Sequence, residues 1–196
     1  MPTGVITQEI GERYCKQLCD VYPEVFDGKP GIFKGVNAEM HIIPGHERML
    51  GGVRPPAKIP YGIKEEYDEE LNKLLETCIP VDGRELDVAS QVVPVIRNKN
   101  GKRKLRLCIN YKNTINDHLM DEPYPHPVTN ELLDKLIGEH FTCVDLVDAF
   151  KQVLVTSDKS RKIMALVTPY GYAVPTTLQF GVKTAPKIYS RQAWIN

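Results

Sequence analysis

Apolar residues recur at helical spacing in four stretches of the chain, with polar residues between them. The pattern predicts helices over residues 8–22, 67–78 and 129–137, and a fourth helix that begins near residue 184. Thr7 and Thr129 lie at the start of the first and third stretches and are typical N-cap residues, while Gly138 ends the third. Residues 27–62 are rich in Gly and Pro, which predicts an extended arm or linker without a packed core.

Strands are predicted where apolar residues alternate with polar ones or form short continuous runs. Val92–Ile96 and Lys104–Tyr111 flank Asn100-Gly101, a dipeptide that strongly favours a tight hairpin turn. A second hairpin, with strands Ile163–Thr168 and Tyr172–Leu178, is expected around Pro169-Tyr170-Gly171. The remaining predicted strands are Ala38–Ile43 and Phe141–Leu146.

The order of these elements predicts an α+β fold, an antiparallel sheet with packed helices. Residues 1–58 are expected to form the first helix and the arm, and residues 59–196 the main domain. The composition, 42% hydrophobic and 26% charged, is that of a folded globular protein. The five cysteines have no disulfide-framework spacing, and no run of 18 apolar residues occurs. We therefore expect an intracellular protein with reduced thiols and no membrane partner.

Positive charge is concentrated in one region, although the net charge is zero. Between Arg97 and Lys112 the chain has seven basic residues and no acidic residue. Such a block suits a phosphate-binding surface, but it also fits the solvated end of a hairpin, and the sequence alone leaves both readings open. A second cluster, His118 with Asp117, Asp121 and Glu122, could be a metal site or a solvated loop.

Two carboxylates occur in and after the apolar run Phe141–Leu146. Asp145 lies inside the run and Asp148 follows three residues later. A carboxylate in an apolar strand is unfavourable unless it is paired or binds a metal ion. The sequence therefore marks Asp145 as a candidate metal ligand, with an N-cap or turn carboxylate as the alternative.

Four separated blocks carry a family resemblance. They are RLCINYKNTIN (106–116), YPHPVTNELLDKL (124–136), FTCVDLVDAFKQV (141–153) and LQFGVKTAPKIYSRQ (178–192). In order and spacing they resemble the reverse transcriptase of gypsy-type LTR retrotransposons. The resemblance implies the fingers and first half of the palm of a right-hand polymerase. Its activity would be RNA-directed DNA polymerisation, a nucleotidyl transfer assisted by two Mg²⁺ ions.

The same resemblance implies roles for individual residues. Asp145 would be the catalytic metal ligand, helped by the backbone carbonyl of Leu146. Residues that would contact the dNTP are Lys99, Arg106, Asp148, Ala149, Phe150 and Phe180. Residues that would contact the template–primer are Tyr124, Pro125, Pro127 and Gly181. Further partners would be RNA or DNA template–primer and the remainder of a Pol polyprotein, in a cytoplasmic particle or the nucleus.

One departure from the family pattern bears on activity. The family has two further aspartates in a Tyr-x-Asp-Asp hairpin, and these 196 residues contain no Asp after Asp158. We therefore expect a fragment truncated before that hairpin, without polymerase activity as an isolated chain, because a two-metal site needs more than one carboxylate. The alternatives are a host-retained, non-catalytic nucleic-acid-binding or interaction module, and a non-functional relic.

Overall fold

A computed structural model of the protein describes residues 8–99, 101–125, 129–138 and 145–195. The helices are α1 (Gln8–Val21), α2 (Lys64–Leu75), α3 (Thr129–Leu133), α4 (Asp158–Ile163) and α5 (Ala185–Ile195). The strands are β1 (Cys78–Val81), β2 (Ser90–Lys99), β3 (Lys102–Ile109), β4 (Leu166–Thr168) and β5 (Gly171–Pro175). Short 3-10 helices lie at Glu47–Met49, Tyr61–Ile63, Gly83–Glu85, Asn116–His118 and Ala149–Gln152.

These residues group into two compact units, of which the first comprises Met1–Gly31 and Pro127–Ala149. It contains α1 and α3, so both predicted helices are present, although α3 ends at Leu133 and not near Gly138. No side chain of α1, which is described over its full length, is buried. Most of the predicted strand Phe141–Leu146 lies outside the described residues, and Asp145 and Leu146 themselves are not in a strand.

The second unit, Ile32–His126 and Phe150–Asn196, is built on a five-stranded sheet with the order β1-β5-β4-β2-β3. Both predicted hairpins are confirmed as antiparallel pairs, β2 with β3 and β4 with β5. The sheet is not wholly antiparallel as predicted, because β2 and β4 pair in parallel at Ser90↔Leu166 and Gln91↔Val167. Strand β1 was missed, because Cys78 continues the apolar spacing of the preceding helix.

The sheet of the second unit is covered on both faces. The larger core cluster includes Tyr67 of α2, Tyr111, Leu166 and Ile188. The smaller core cluster includes Ala89, Ala165, Val167 and Val174. Leu166 and Val167 are neighbours in β4 but belong to different clusters, as expected where successive side chains of a strand point to opposite faces.

Part of the predicted arm is packed into this unit. Ala38, Met40 and Ile42 are buried, the Ala38 amide donates to the Leu154 carbonyl at 2.7 Å, and the Met40 amide donates to Ser160 Oγ at 3.0 Å. The expectation of an arm without packed residues was therefore wrong. Residues 38, 40 and 42 have the two-residue period of a half-buried extended segment, and this outweighs the surrounding Gly and Pro.

The segment around Ala38–Ile43 does not form the predicted strand. It makes two isolated bridges instead, Asn37↔Leu154 and Ile42↔Leu119. The domain boundary at residue 58 stays a prediction. Within the described residues, no helix has both the length and the apolar character needed to cross a membrane.

Candidate nucleic-acid and nucleotide site

The β2–β3 hairpin separates apolar and basic side chains onto opposite faces. Along β3, Leu105 is buried and Leu107 packs against the core, whereas Lys104 and Arg106 are exposed. Arg97, also exposed, pairs directly with Lys104, and directly paired residues share a face of a sheet. Arg97, Lys104 and Arg106 therefore form one solvent-facing surface, here called the basic face.

Arg103 shows that the basic block is not uniform. It lies on the other face of β3, where its Nη2 is 2.9 Å from Glu66 Oε1 of α2. The three residues of the basic face form no ion pair within the described part of the chain. Their charges are thus available to a ligand, whereas that of Arg103 is paired with Glu66 at the surface. Lys99, the remaining predicted phosphate contact, pairs through its backbone with Lys102 at the end of the hairpin.

Four aromatic rings from separate segments form an aromatic cluster. The Phe150 ring centroid lies 4.7 Å from that of Phe180 and 5.7 Å from that of Tyr189. Tyr189 in turn contacts Phe33 at 5.7 Å. These distances and the tilted or edge-on ring planes are typical of stabilising aromatic pairs. The structure thus brings together two predicted nucleotide contacts, Phe150 and Phe180, and supports Phe150 with Tyr189.

The loop that carries Phe180 and Gly181 is fixed by a residue that the sequence reasoning missed. Asn116 Nδ2 donates to the Gly181 carbonyl at 2.9 Å, and the Lys183 amide donates to Asn116 Oδ1 at 2.9 Å. Gly181 has a φ of +90°, and a Cβ there would lie 3.2 Å from the Ile109 carbonyl oxygen. Glycine is therefore required both by the backbone conformation and by the close approach to β3. Asn116 is the last residue of the block RLCINYKNTIN (106–116). Its place in that block was the sequence signal that could have marked it as a site residue.

Tyr124 is half-buried and Pro125 is exposed, while Pro127 lies outside the described residues. The segment just before them is held to α5 by two ion pairs, Asp121 to Lys187 at 2.8 Å and Glu122 to Arg191. The hydrogen bond from Lys187 lowers the pKa of the Asp121 carboxyl below its usual range. Of the two alternatives for His118 and its neighbouring acids, these contacts disfavour the metal site, because Asp121 and Glu122 are paired with α5.

The remaining predicted site residues lie in the first unit. Asp145 and Asp148 are exposed, and Leu146 is 53% exposed. Asp148 has a φ of +45°, which is uncommon for any residue except Gly, although Asp tolerates it better than most. Ala149 then begins the 3-10 helix Ala149–Gln152. A left-handed residue followed by right-handed ones turns successive backbone N–H groups toward one point and can bind an anion.

The donor set at Asp145 fits part of a magnesium site. A carboxylate and a backbone carbonyl are hard oxygen ligands, and Mg²⁺ is commonly held by one or two carboxylates together with waters and substrate phosphates. Among the described residues, no group of three or more His, Cys, Asp or Glu side chains is arranged to hold a metal ion.

Comparisons with known proteins agree with this geometry, although no protein-family model matches the chain. The chain is 29% identical over 172 residues to an uncharacterized protein of Caenorhabditis elegans, covering 87% of this chain and 13% of that protein. It is 30% identical over 139 residues to the retrovirus-related Pol polyprotein from transposon 412 of Drosophila melanogaster, covering 69% and 11% respectively. The chain therefore spans a small part of the length of these relatives.

A solved structure gives the fold. The foamy viral protease-reverse transcriptase in complex with an RNA/DNA hybrid matches 96% of this chain and 25% of its own, with a TM-score of 0.71 and 17% sequence identity. The predicted fold class is thereby confirmed: the chain has a reverse-transcriptase-like α+β fold. Its sequence relatives include a retrotransposon Pol polyprotein, which supports a retroelement origin.

Proposed function

We propose that these residues are the fingers and first half of the palm of a gypsy-type retroelement reverse transcriptase, and that they bind template–primer and dNTP. The observation that carries the proposal is the basic face. Arg97, Lys104 and Arg106 are exposed together on one side of a hairpin whose other side is packed. In this role Arg106 makes a bidentate contact with a dNTP phosphate, as a guanidinium can, and Lys99 approaches the terminal phosphate.

The other predicted residues take complementary roles in this proposal. The Phe150 ring lies under the sugar and clashes with a ribose 2′-hydroxyl, so that selection rests on a repulsive contact. Support for this role comes from the contacts of Phe150 with Phe180 and Tyr189, which restrict its movement. The backbone amides of Asp148 and Ala149 bind phosphate oxygens, while Gly181, Tyr124, Pro125 and Pro127 contact the template strand.

Asp145 and the Leu146 carbonyl would hold Mg²⁺ in this function. When bound, the ion would neutralise charge on the nucleotide phosphates and would activate the primer 3′-oxygen. Asp145 contributes a hard-oxygen ligand and, being exposed, is accessible to substrate. We propose that the 196 residues by themselves do not extend a primer, because they supply one carboxylate of a three-aspartate site.

Binding is tested by fluorescence anisotropy with a labelled oligo(dT) primer on poly(rA). The purified chain should bind this hybrid more tightly than oligo(dT) alone, and dTTP should stabilise the complex more than dATP does. A second function, a non-catalytic nucleic-acid-binding module, is favoured by the same basic face. It predicts binding of the hybrid with no preference between dTTP and dATP, so the nucleotide arm separates the two functions.

Catalysis is tested separately on the same template with Mg²⁺. We expect no primer extension by the isolated chain or by its Asp145→Ala variant. Appreciable extension that survives Asp145→Ala would contradict both the incomplete site and the role of Asp145. Extension that is lost in the variant would support Asp145 as a metal ligand but contradict the predicted inactivity.

A further inference from the structure

His118, which the sequence places beside three acids, faces another histidine in the structure. The Nδ1 atoms of His118 and His46 are 3.4 Å apart, and the two rings lie 5.4 Å apart at 74°. Both rings are half-buried, so solvent can reach them. We propose that His46 and His118 form a binding site for a transition-metal ion, specifically Zn²⁺, which goes beyond the proposed polymerase function.

The spacing of the two nitrogens fits tetrahedral coordination. Zn–N bonds of about 2.0–2.1 Å at tetrahedral angles place two ligand nitrogens about 3.3–3.4 Å apart. Neutral imidazole is a favoured ligand of Zn²⁺ and related ions, whereas Mg²⁺ prefers oxygen. Waters would fill the two other positions. The site is therefore chemically distinct from any Mg²⁺ site at Asp145.

The backbone segments that carry the two rings are held together by hydrogen bonds. The Ile43 amide donates to the His118 carbonyl at 2.9 Å, and the amides of His46 and His118 each donate within their own turns at 2.9 Å. The bridge Ile42↔Leu119 fixes the register of the two segments. Ligands on such fixed segments lose little freedom on binding, which favours metal affinity.

A bound ion would link the arm, residues 27–62, to the segment that supports the loop carrying Phe180 and Gly181. His46 belongs to the arm, and His118 ends the 3-10 helix that begins with Asn116. Asn116 in turn bonds on both sides of the turn at Gly181. Zn²⁺ at the histidine pair thus braces the loop that carries Phe180.

The test is a calorimetric titration with Zn²⁺ alone as the probe. Because Cys15, Cys19 and Cys108 are exposed thiols that also bind zinc, the starting protein carries serine at these three positions and at Cys143, which lies outside the described residues. It should bind one Zn²⁺, and excess Mg²⁺ should leave that affinity unchanged. Loss of a residue that hydrogen-bonds to a metal ligand typically costs about 10- to 100-fold in metal affinity. Loss of a ligand itself should cost at least as much, so His46→Gln and His118→Gln should each weaken zinc binding at least about tenfold.

The matched control is His41→Gln, which changes an exposed histidine of the same arm, 64% accessible at its side chain, and should leave zinc affinity unchanged. The double variant should lose less affinity than the product of the two single losses, because one ion uses both rings and the two substitutions are therefore not independent. Unchanged affinity in both single variants, or equal loss in His41→Gln, would overturn the proposal.

A second measurement avoids substitution at the pair. Nitrogen-15 spectra of the histidine rings should show the Nδ1 signals of His46 and His118 shifting with one common midpoint during a Zn²⁺ titration. Shifts confined to one ring, or to Nε2, would contradict a shared site and would mean that the pair is a simple hydrogen bond.

Discussion

The two hairpins of the second unit are built alike but differ in their environment. In β4–β5, every residue of β4 is buried, and its side chains contribute to core clusters on both faces. In β2–β3, one side of β3 packs against the core while Lys104 and Arg106 on the other side are exposed. Hairpin β4–β5 therefore contributes mainly to the stability of the core. Hairpin β2–β3 exposes charged side chains on one face while its other face remains packed.

The largest expected effect is a difference in unfolding free energy between alanine substitutions in the two hairpins. Leu166→Ala in β4 removes a fully buried side chain and should lower the free energy of unfolding by about 2–5 kcal/mol. Ile96→Ala in β2 removes a side chain that is 47% exposed and should cost clearly less. Urea unfolding of both variants checks this. Equal losses would mean that the two hairpins are equally packed and would break the comparison.

A smaller loss of stability is expected at Gly181, where the loop that carries Phe180 approaches the end of β3. Gly181→Ala places a Cβ 3.2 Å from the Ile109 carbonyl oxygen at a φ of +90°, and such strain costs about 1–3 kcal/mol. The control is Gly62→Ala, because a Cβ at Gly62 meets no atom within 4 Å. Thermal unfolding should show a lower Tm for Gly181→Ala than for Gly62→Ala, and the reverse order would contradict the close approach.

The hydrogen bond that joins α2 to β2 should make the stability of the protein depend on pH in alkaline solution. The Tyr67 hydroxyl donates to the Val92 carbonyl at 3.3 Å, and burial raises the pKa of Tyr67 from 10.0 to about 12. Because the folded pKa lies above the unfolded one, this contribution to stability is complete below pH 10 and is lost as the pH rises toward 12. Tyr67→Phe should therefore lose less stability between pH 9 and pH 11 than the unmodified protein. An identical slope in both proteins would show that Tyr67 does not titrate differently in the folded state.

The sequence predicted both hairpins but not the ends of their strands. In β2–β3, the Asn100-Gly101 turn and the alternation of Leu105 and Leu107 with charged residues identified the pair. However, β2 runs over Ser90–Lys99 and not Val92–Ile96, and β3 over Lys102–Ile109 and not Lys104–Tyr111. In β4–β5, burial on both faces removes the alternation that marks a strand. Ile163 was therefore placed in β4, whereas it ends α4.

The candidate site was predictable where it depends on local residue pattern and not where it depends on long-range contacts. The basic block was visible in sequence, but its division between the basic face and Arg103 follows from strand pairing and from Glu66 of α2. Asn116 and Tyr189 were not predicted as site residues, because their partners lie 65 and 39 positions away along the chain. Around His118 the sequence left a metal site and a solvated loop open. The ion pairs of Asp121 and Glu122 with α5 are long-range contacts that the local pattern does not reveal.

The most direct test of the central claim is the salt dependence of binding to an RNA/DNA hybrid. Each phosphate contact contributes about 0.9 to the slope of log affinity against log salt for duplex DNA. Replacing Arg97, Lys104 and Arg106 together with Gln should reduce both the affinity and this slope, by up to three contacts. Arg103→Gln, which removes a charge from the opposite face of the same strand, should change neither appreciably. A slope that survives the triple replacement, or falls equally with Arg103→Gln, would contradict a phosphate-binding role for the basic face.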